Sequence, residues 1–201
     1  GWLLFVSMLV CGIGITNVHT PVEPARDTIA DRGFANIFDL VANRIYADPV
    51  LLGRYPKVPF LARKQFRALL DVDPEDLRTI HQPLDFYGLN YYMPTRIAAG
   101  PPKDARTPDG TDSAAMRDLP FHLRTMDEYP TTGFGWPIAP DYLGHTLRDY
   151  GARYGDALPP VYITEGGASF PDVVVDGAVD DAARVNYLAE HLAVAFAGAP
   201  G

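Results

Sequence analysis

Three times along this chain a short run rich in β-branched and aromatic residues comes before an apolar stripe at helical spacing. That alternation narrows the available folds more than any other feature. Residues 11–16 read as a buried strand containing glycines, 84–92 (LDFYGLNYY) as a second strand, and 161–164 (VYIT) as a third. The stripes are Phe34, Ile37, Phe38, Val41 and Ile45; then Tyr142, Leu143, Leu147, Tyr150 and Tyr154; then Val185, Leu188, Leu192 and Phe196. Strand–helix alternation implies parallel strands joined by crossover helices, an α/β fold.

The punctuation fits this order. Residues 17–24 read as loop, and Pro49 is expected to stop the first helix. Residues 53–59 read as loop. Asp73 and Pro74 look like a cap and first helical position. Pro94 closes the second strand. Residues 99–120, with their prolines and small polar residues, read as a long surface loop. Asp180 and Asp181 are placed to cap the last helix. No repeat or shift in composition divides residues 1–201, so they read as one domain.

Composition excludes several function classes. Lys plus Arg number 17 against 25 Asp plus Glu, a formal net charge of −8. That argues against a general nucleic-acid binder, which needs a basic face. One cysteine, Cys11, cannot build a disulfide framework or a multi-cysteine zinc site, and it points to a reducing, cytoplasmic setting. The five histidines form no His-x-x-x-His or His-Glu-x-x-His pair, so no metal site is expected, and no phosphate-loop motif calls for a cofactor. Residues 2–15 are uncharged, but 14 residues are short for a bilayer span. The segment reads as a buried helix or strand, and no membrane partner is expected.

Glu165 is the most informative single residue. It follows the third strand and precedes Gly166 and Gly167, and ligands of parallel α/β folds bind at the carboxyl ends of strands. A loop or capping glutamate is the competing reading. Asn90 and Tyr92 lie two apart at the end of the second strand, so period two puts them on one face, with Tyr91 on the other. A strand terminus entering a turn explains Asn90 equally well. Trp136 in GFGWP can stack on a ring or simply pack, and packing is the commoner role.

Four stretches together resemble one family. VYITEGGASF at 161–170 looks like the nucleophile strand of the β-glucosidase family, glycoside hydrolase family one. LDFYGLNYY at 84–92 resembles its sixth barrel strand. GIGITNVHTPVEPA at 12–25 resembles its fifth strand and following loop. GWPIAPDYL at 135–143 resembles the segment leading to its sixth helix. The resemblance implies a partial (β/α)8 TIM barrel of about three consecutive β/α units, and retaining hydrolysis of β-glycosides. It carries Glu165 over as nucleophile, with Asn90 and Tyr92 lining the site. Tyr92 would hydrogen-bond Glu165, and Asn90 would bind a sugar hydroxyl. Retention needs two carboxyl groups about 5–5.5 Å apart.

The departures from the family are specific. No Asn-Glu-Pro, the family's acid/base motif, occurs in the sequence. Gly166 stands where the family usually has Asn. Asn17, Val18 and His19 replace a more usual Leu-Asn-Leu-like run. The resemblance covers about strands five to seven, under half a barrel. Two readings follow: a piece of a retaining β-glycosidase whose partner is the remainder of the barrel, or a non-catalytic barrel piece that binds sugar weakly or associates with another chain. The chain alone is expected to be marginally stable, because unpaired edges and inward side chains meet water, and nearly inactive, because a nucleophile without its acid/base cannot protonate the leaving group.

Overall fold

The computed structural model describes residues 12–64, 66–67, 71–101 and 119–198. Strand β1 (Gly14–Val18), strand β3 (Phe86–Asn90) and strand β6 (Val161–Glu165) form one sheet in the order β1-β3-β6. Both pairings are parallel, with Gly14 opposite Phe86 and Val161 opposite Tyr87. The expected parallel alternation is therefore present. The first strand is displaced, however: it runs to Val18, and Cys11 lies outside the described residues, as does the apolar segment 1–11.

One face of this sheet carries the main core. Tyr87, Leu89 and Tyr91 alternate toward helix α2 (Ile45–Leu52) and helix α4 (Pro140–Tyr154), meeting Val50, Leu51, Leu143, Tyr150 and Tyr154. Phe86, Gly88 and Asn90 alternate to the other face. Gly88 is required there, since a Cβ would collide with the Thr16 side chain of the neighbouring strand.

Pro49 does not stop the first helix. Helix α1 (Ile29–Asp39) runs through a π turn at Leu40–Arg44 into α2, and Pro49 lies inside α2. The widened turn immediately upstream shifts the hydrogen-bond ladder, which lets the chain accommodate a residue that has no N–H. Gly53, at φ 62°, ends the helix instead. Asp73 does cap helix α3 (Pro74–Ile80), accepting the Glu75 N–H at 2.8 Å. Asp180 accepts the Ala182 N–H at 3.2 Å, where helix α5 (Ala182–Gly198) begins.

The segment read as loop at 17–24 is loop only at His19–Pro21. Asn17 and Val18 complete β1, and strand β2 (Val22–Pro24) starts a second sheet. There β2 pairs in parallel with strand β4 (Thr95–Ala99), which pairs antiparallel with strand β5 (Phe121–Arg124). The long loop is thus the connection of a hairpin, and its residues 102–118 lie outside the described residues. A further two-residue hairpin joins strand β7 (Val174–Val175) to strand β8 (Ala178–Val179). Its turn is Asp176-Gly177, both with positive φ, the pairing that a type I′ turn requires.

The third helical stripe also departs from expectation. Val185, Leu188, Leu192 and Phe196 are all exposed; α5 packs inward through Tyr187 and His191, and Val194 meets α4 at Gly144. No helix among the described residues is long and apolar enough to cross a membrane.

Candidate functional site

The site assembles at the carboxyl ends of β3 and β6. The five residues from Tyr87 to Tyr91 stand against the six from Pro160 to Glu165. The Tyr87 N–H donates to the Pro160 carbonyl at 2.9 Å, and the Tyr91 N–H to the Glu165 carbonyl at 3.0 Å. The register accordingly shifts, with Leu89 opposite Ile163 but Asn90 opposite Glu165. Thr164 is the extra residue of a β-bulge. Strict alternation from Tyr162 would send Glu165 to the helix side. The bulge re-aims it, and its carboxylate accepts a hydrogen bond from the Tyr92 hydroxyl.

The structure therefore brings together all three residues proposed from the sequence. The Thr164 hydroxyl donates to Asn90 Oδ1 at 2.7 Å, which fixes the Asn90 amide beside the carboxylate. Asn90 is buried, Tyr92 half-buried and Glu165 exposed. The Tyr92 hydroxyl is held above the usual tyrosine range, because ionising it would end the hydrogen bond to Glu165 and place two negative charges together.

Trp136 does pack, but on the site itself. Its ring lies edge-on to Tyr92, 5.9 Å between centroids, and 5.5 Å from Phe134. Buried Thr132 holds the tight loop that carries it. The Thr132 hydroxyl accepts N–H bonds from Phe134 at 3.2 Å and Trp136 at 3.3 Å. The Gly133 N–H reaches the Ser169 carbonyl at 2.6 Å, tying this loop to the segment after Glu165.

A second network braces the loops from outside. Arg96 on β4 pairs with Glu23 on β2 and with Glu128, and Tyr142 of α4 also donates to Glu23. These ion pairs hold the Arg96 guanidinium above its ordinary range. On the far side, the His19 N–H donates to the Asn90 carbonyl at 3.0 Å. The His19 ring meets the Tyr150 hydroxyl at 3.0 Å, and burial lowers its pKa to about 4. Thr164, Arg96 and His19 were not singled out as site residues from sequence. Thr164 sits beside Glu165 in the motif; the other two carry no local signal. Among the described residues, no group of three or more His, Cys, Asp or Glu side chains is placed to hold a metal ion.

A carboxylate at the carboxyl end of a parallel strand, met by a hydroxyl from the end of the next strand and backed by helices, is the arrangement of an α/β-barrel site. Comparison with known proteins agrees. The profile of Glycosyl hydrolase family 1 matches residues 8–198. A β-glucosidase of an Agrobacterium strain is 33% identical over 184 residues, 90% of this chain and 36% of that protein. A bifunctional β-D-glucosidase/β-D-fucosidase of Bifidobacterium breve is 36% identical over 166 residues, 79% of this chain and 35% of that protein. The crystal structure of a β-glucosidase from Exiguobacterium marinum superposes with a TM-score of 0.76 at 32% identity, covering 92% of this chain and 39% of that one. The chain belongs to glycosyl hydrolase family 1, and its sheet is part of an α/β barrel. It spans about a third of the length of the curated relatives it matches.

Proposed function

We propose that this chain carries the nucleophile side of a retaining β-glycoside hydrolase. The observation that carries the reading is the Tyr92 hydroxyl on the Glu165 carboxylate, across the ends of two parallel strands. A Glu165 oxygen attacks the anomeric carbon, the bond to the leaving-group oxygen breaks, and a glycosyl-enzyme ester forms. Tyr92 orients the carboxylate, and Asn90 presents its amide to a sugar hydroxyl. The acid/base carboxyl comes from polypeptide beyond these 201 residues, which hold no Asn-Glu-Pro. The partner of the chain is accordingly the remainder of the barrel, in a reducing, cytoplasmic setting. The substrate is a β-glucoside or related β-glycoside; the relatives include both β-glucosidases and 6-phospho-β-galactosidases.

An aryl β-glucoside with a strongly acidic phenol needs no protonation of its leaving group, so it tests the nucleophile without the missing acid. The expected outcome is a covalent adduct of one glucosyl unit on the wild-type chain, read by intact mass and absent from Glu165→Gln. An adduct elsewhere, or one that survives Glu165→Gln, overturns the assignment. The absent Asn-Glu-Pro favours a second reading, a non-catalytic barrel piece that binds sugar weakly. Saturable sugar binding with no adduct on either protein would support it.

A further inference from the structure

Three side chains form one row across the sheet at the carboxyl ends of its strands. Val18 of β1 lies opposite Asn90 of β3, and Asn90 lies opposite Glu165 of β6. All three share a face. Thr16 stands against Gly88, so alternation along β1 puts Val18 on the face of Gly88 and Asn90. Asn17, between them, turns to the helices, where its amide donates to the Tyr87 hydroxyl at 2.9 Å. The bulge brings Glu165 to the same face as Val18.

The row is polar at one end and apolar at the other. Glu165 and the Tyr92 hydroxyl occupy the β6 end. Thr164 takes up Asn90 Oδ1, which leaves the Asn90 N–H groups free to meet a sugar oxygen. At the β1 end Val18 offers only two methyl groups, and it is 56% exposed. Two strand spacings separate it from Glu165, about 10 Å along the row, farther than one pyranose ring reaches. A glycone carries hydroxyls around its ring and belongs with the polar groups. The part of the substrate that passes over Val18 is then the group beyond the glycosidic oxygen. A second sugar would set hydroxyls against methyl groups that cannot bond them, whereas a hydrocarbon group would bury both surfaces. The rim above the row has the same character, since Phe134, 59% exposed, continues the ring contacts outward from Tyr92. Val18 also stands in the run that departs from the family's usual Leu-Asn-Leu-like one, so the apolar end is a property of this chain.

We infer that Val18 is a specificity-determining residue on the leaving-group side, and that the site takes β-glycosides of an apolar aryl or alkyl alcohol in preference to β-linked disaccharides. The inference rests on the glycosidase reading above, because it takes the anomeric carbon to lie at Glu165.

The test titrates the 201-residue chain with three sulfur-linked β-D-glucosides that differ only beyond the sulfur: phenyl, methyl and a second glucose. Binding is read from the Asn90 amide resonance. The phenyl compound should bind at least fivefold more tightly than either of the others. Val18→Thr keeps the branched shape at an exposed position, so circular dichroism and the melting curve should not change. It should weaken the phenyl compound about threefold and leave the methyl compound where it was. Val18→Leu enlarges the apolar surface and should restore or exceed the wild-type preference. With a phenyl galactoside of the same linkage, Val18→Thr should cost the same factor as with the glucoside. The inference is overturned if the second glucose binds as tightly as phenyl, or if Val18→Thr moves all three glucosides equally. It is also overturned if Val18→Thr changes the choice between glucoside and galactoside, which would place Val18 against the glycone, or if none of the compounds binds. A Val18-dependent phenyl preference in a chain that forms no glucosyl adduct leaves the Val18 assignment standing and removes the hydrolase reading; an adduct without that preference does the reverse.

Discussion

Strands β3 and β6 are built from similar residues and meet opposite fates. In β3, Tyr87 and Leu89 are fully buried, covered by helices on one face and flanked by strands on both edges. In β6, Tyr162 and Ile163 stay exposed, with a strand on one edge only among the described residues. Residue type does not separate them, for tyrosine and a branched aliphatic occur in both. What separates them is the number of neighbours. A parallel strand becomes core only when polypeptide covers it, and among the described residues β6 has a neighbouring strand on one edge.

The largest expected effect breaks the better-packed side. Leu89→Ala opens a cavity under α2 and α4 and should cost roughly 2–5 kcal/mol in denaturant unfolding. A loss under about 1 kcal/mol would mean β3 is no better packed than β6. Acid should sharpen the contrast next. His19 packs on the β3 side, its pKa lowered to about 4 by burial from an ordinary 6.5. Its contribution is full above pH 6.5 and is lost as pH falls toward 4, because the unfolded chain takes up the proton first. That loss amounts to about 3 kcal/mol, and His19→Gln should flatten the stability profile between those pH values. Smaller still is the cap of α3, remote from both strands: Asp73→Ala should cost about 1 kcal/mol. At the bottom stands Ile163→Ala, within about 0.5 kcal/mol for the chain alone. The same substitution should become costly once a strand covers β6, so measuring it in both settings tests the comparison directly.

Much of the parallel sheet was legible because its signals are local. The LDFYGLNYY and VYIT runs and the Asp73-Pro74 cap need only their own neighbours in sequence. The second sheet escaped because β2 has three residues and ends on Pro24, β4 starts directly after Pro94, and β5 lies across a long connection. The Asp176-Gly177 hairpin had a readable turn signal that went unread. The stripe on α5 was real as a pattern but wrong as a core, since nothing within the described residues covers it. At the site, period two grouped Asn90 with Tyr92 correctly. The bulge at Thr164 was invisible to the same rule, because alternation within one strand cannot report an unequal count against its neighbour. Trp136 was open between packing and stacking from sequence, and only the fold showed that its packing partner is Tyr92.

The bulge also means that the aim of Glu165 is fixed by counting rather than by chemistry. One residue fewer between Val161 and Glu165 removes the bulge and leaves the carboxylate opposite Asn90, on the Tyr92 face by ordinary alternation; one residue more, with the bulge kept, carries it one place past Asn90 and toward the helices. The side chains at Tyr162 and Ile163 do not enter that count. The segment should thus survive loss of the bulge residue in its aim, though not in its Thr164 hydrogen bond to Asn90, and be intolerant of a single insertion.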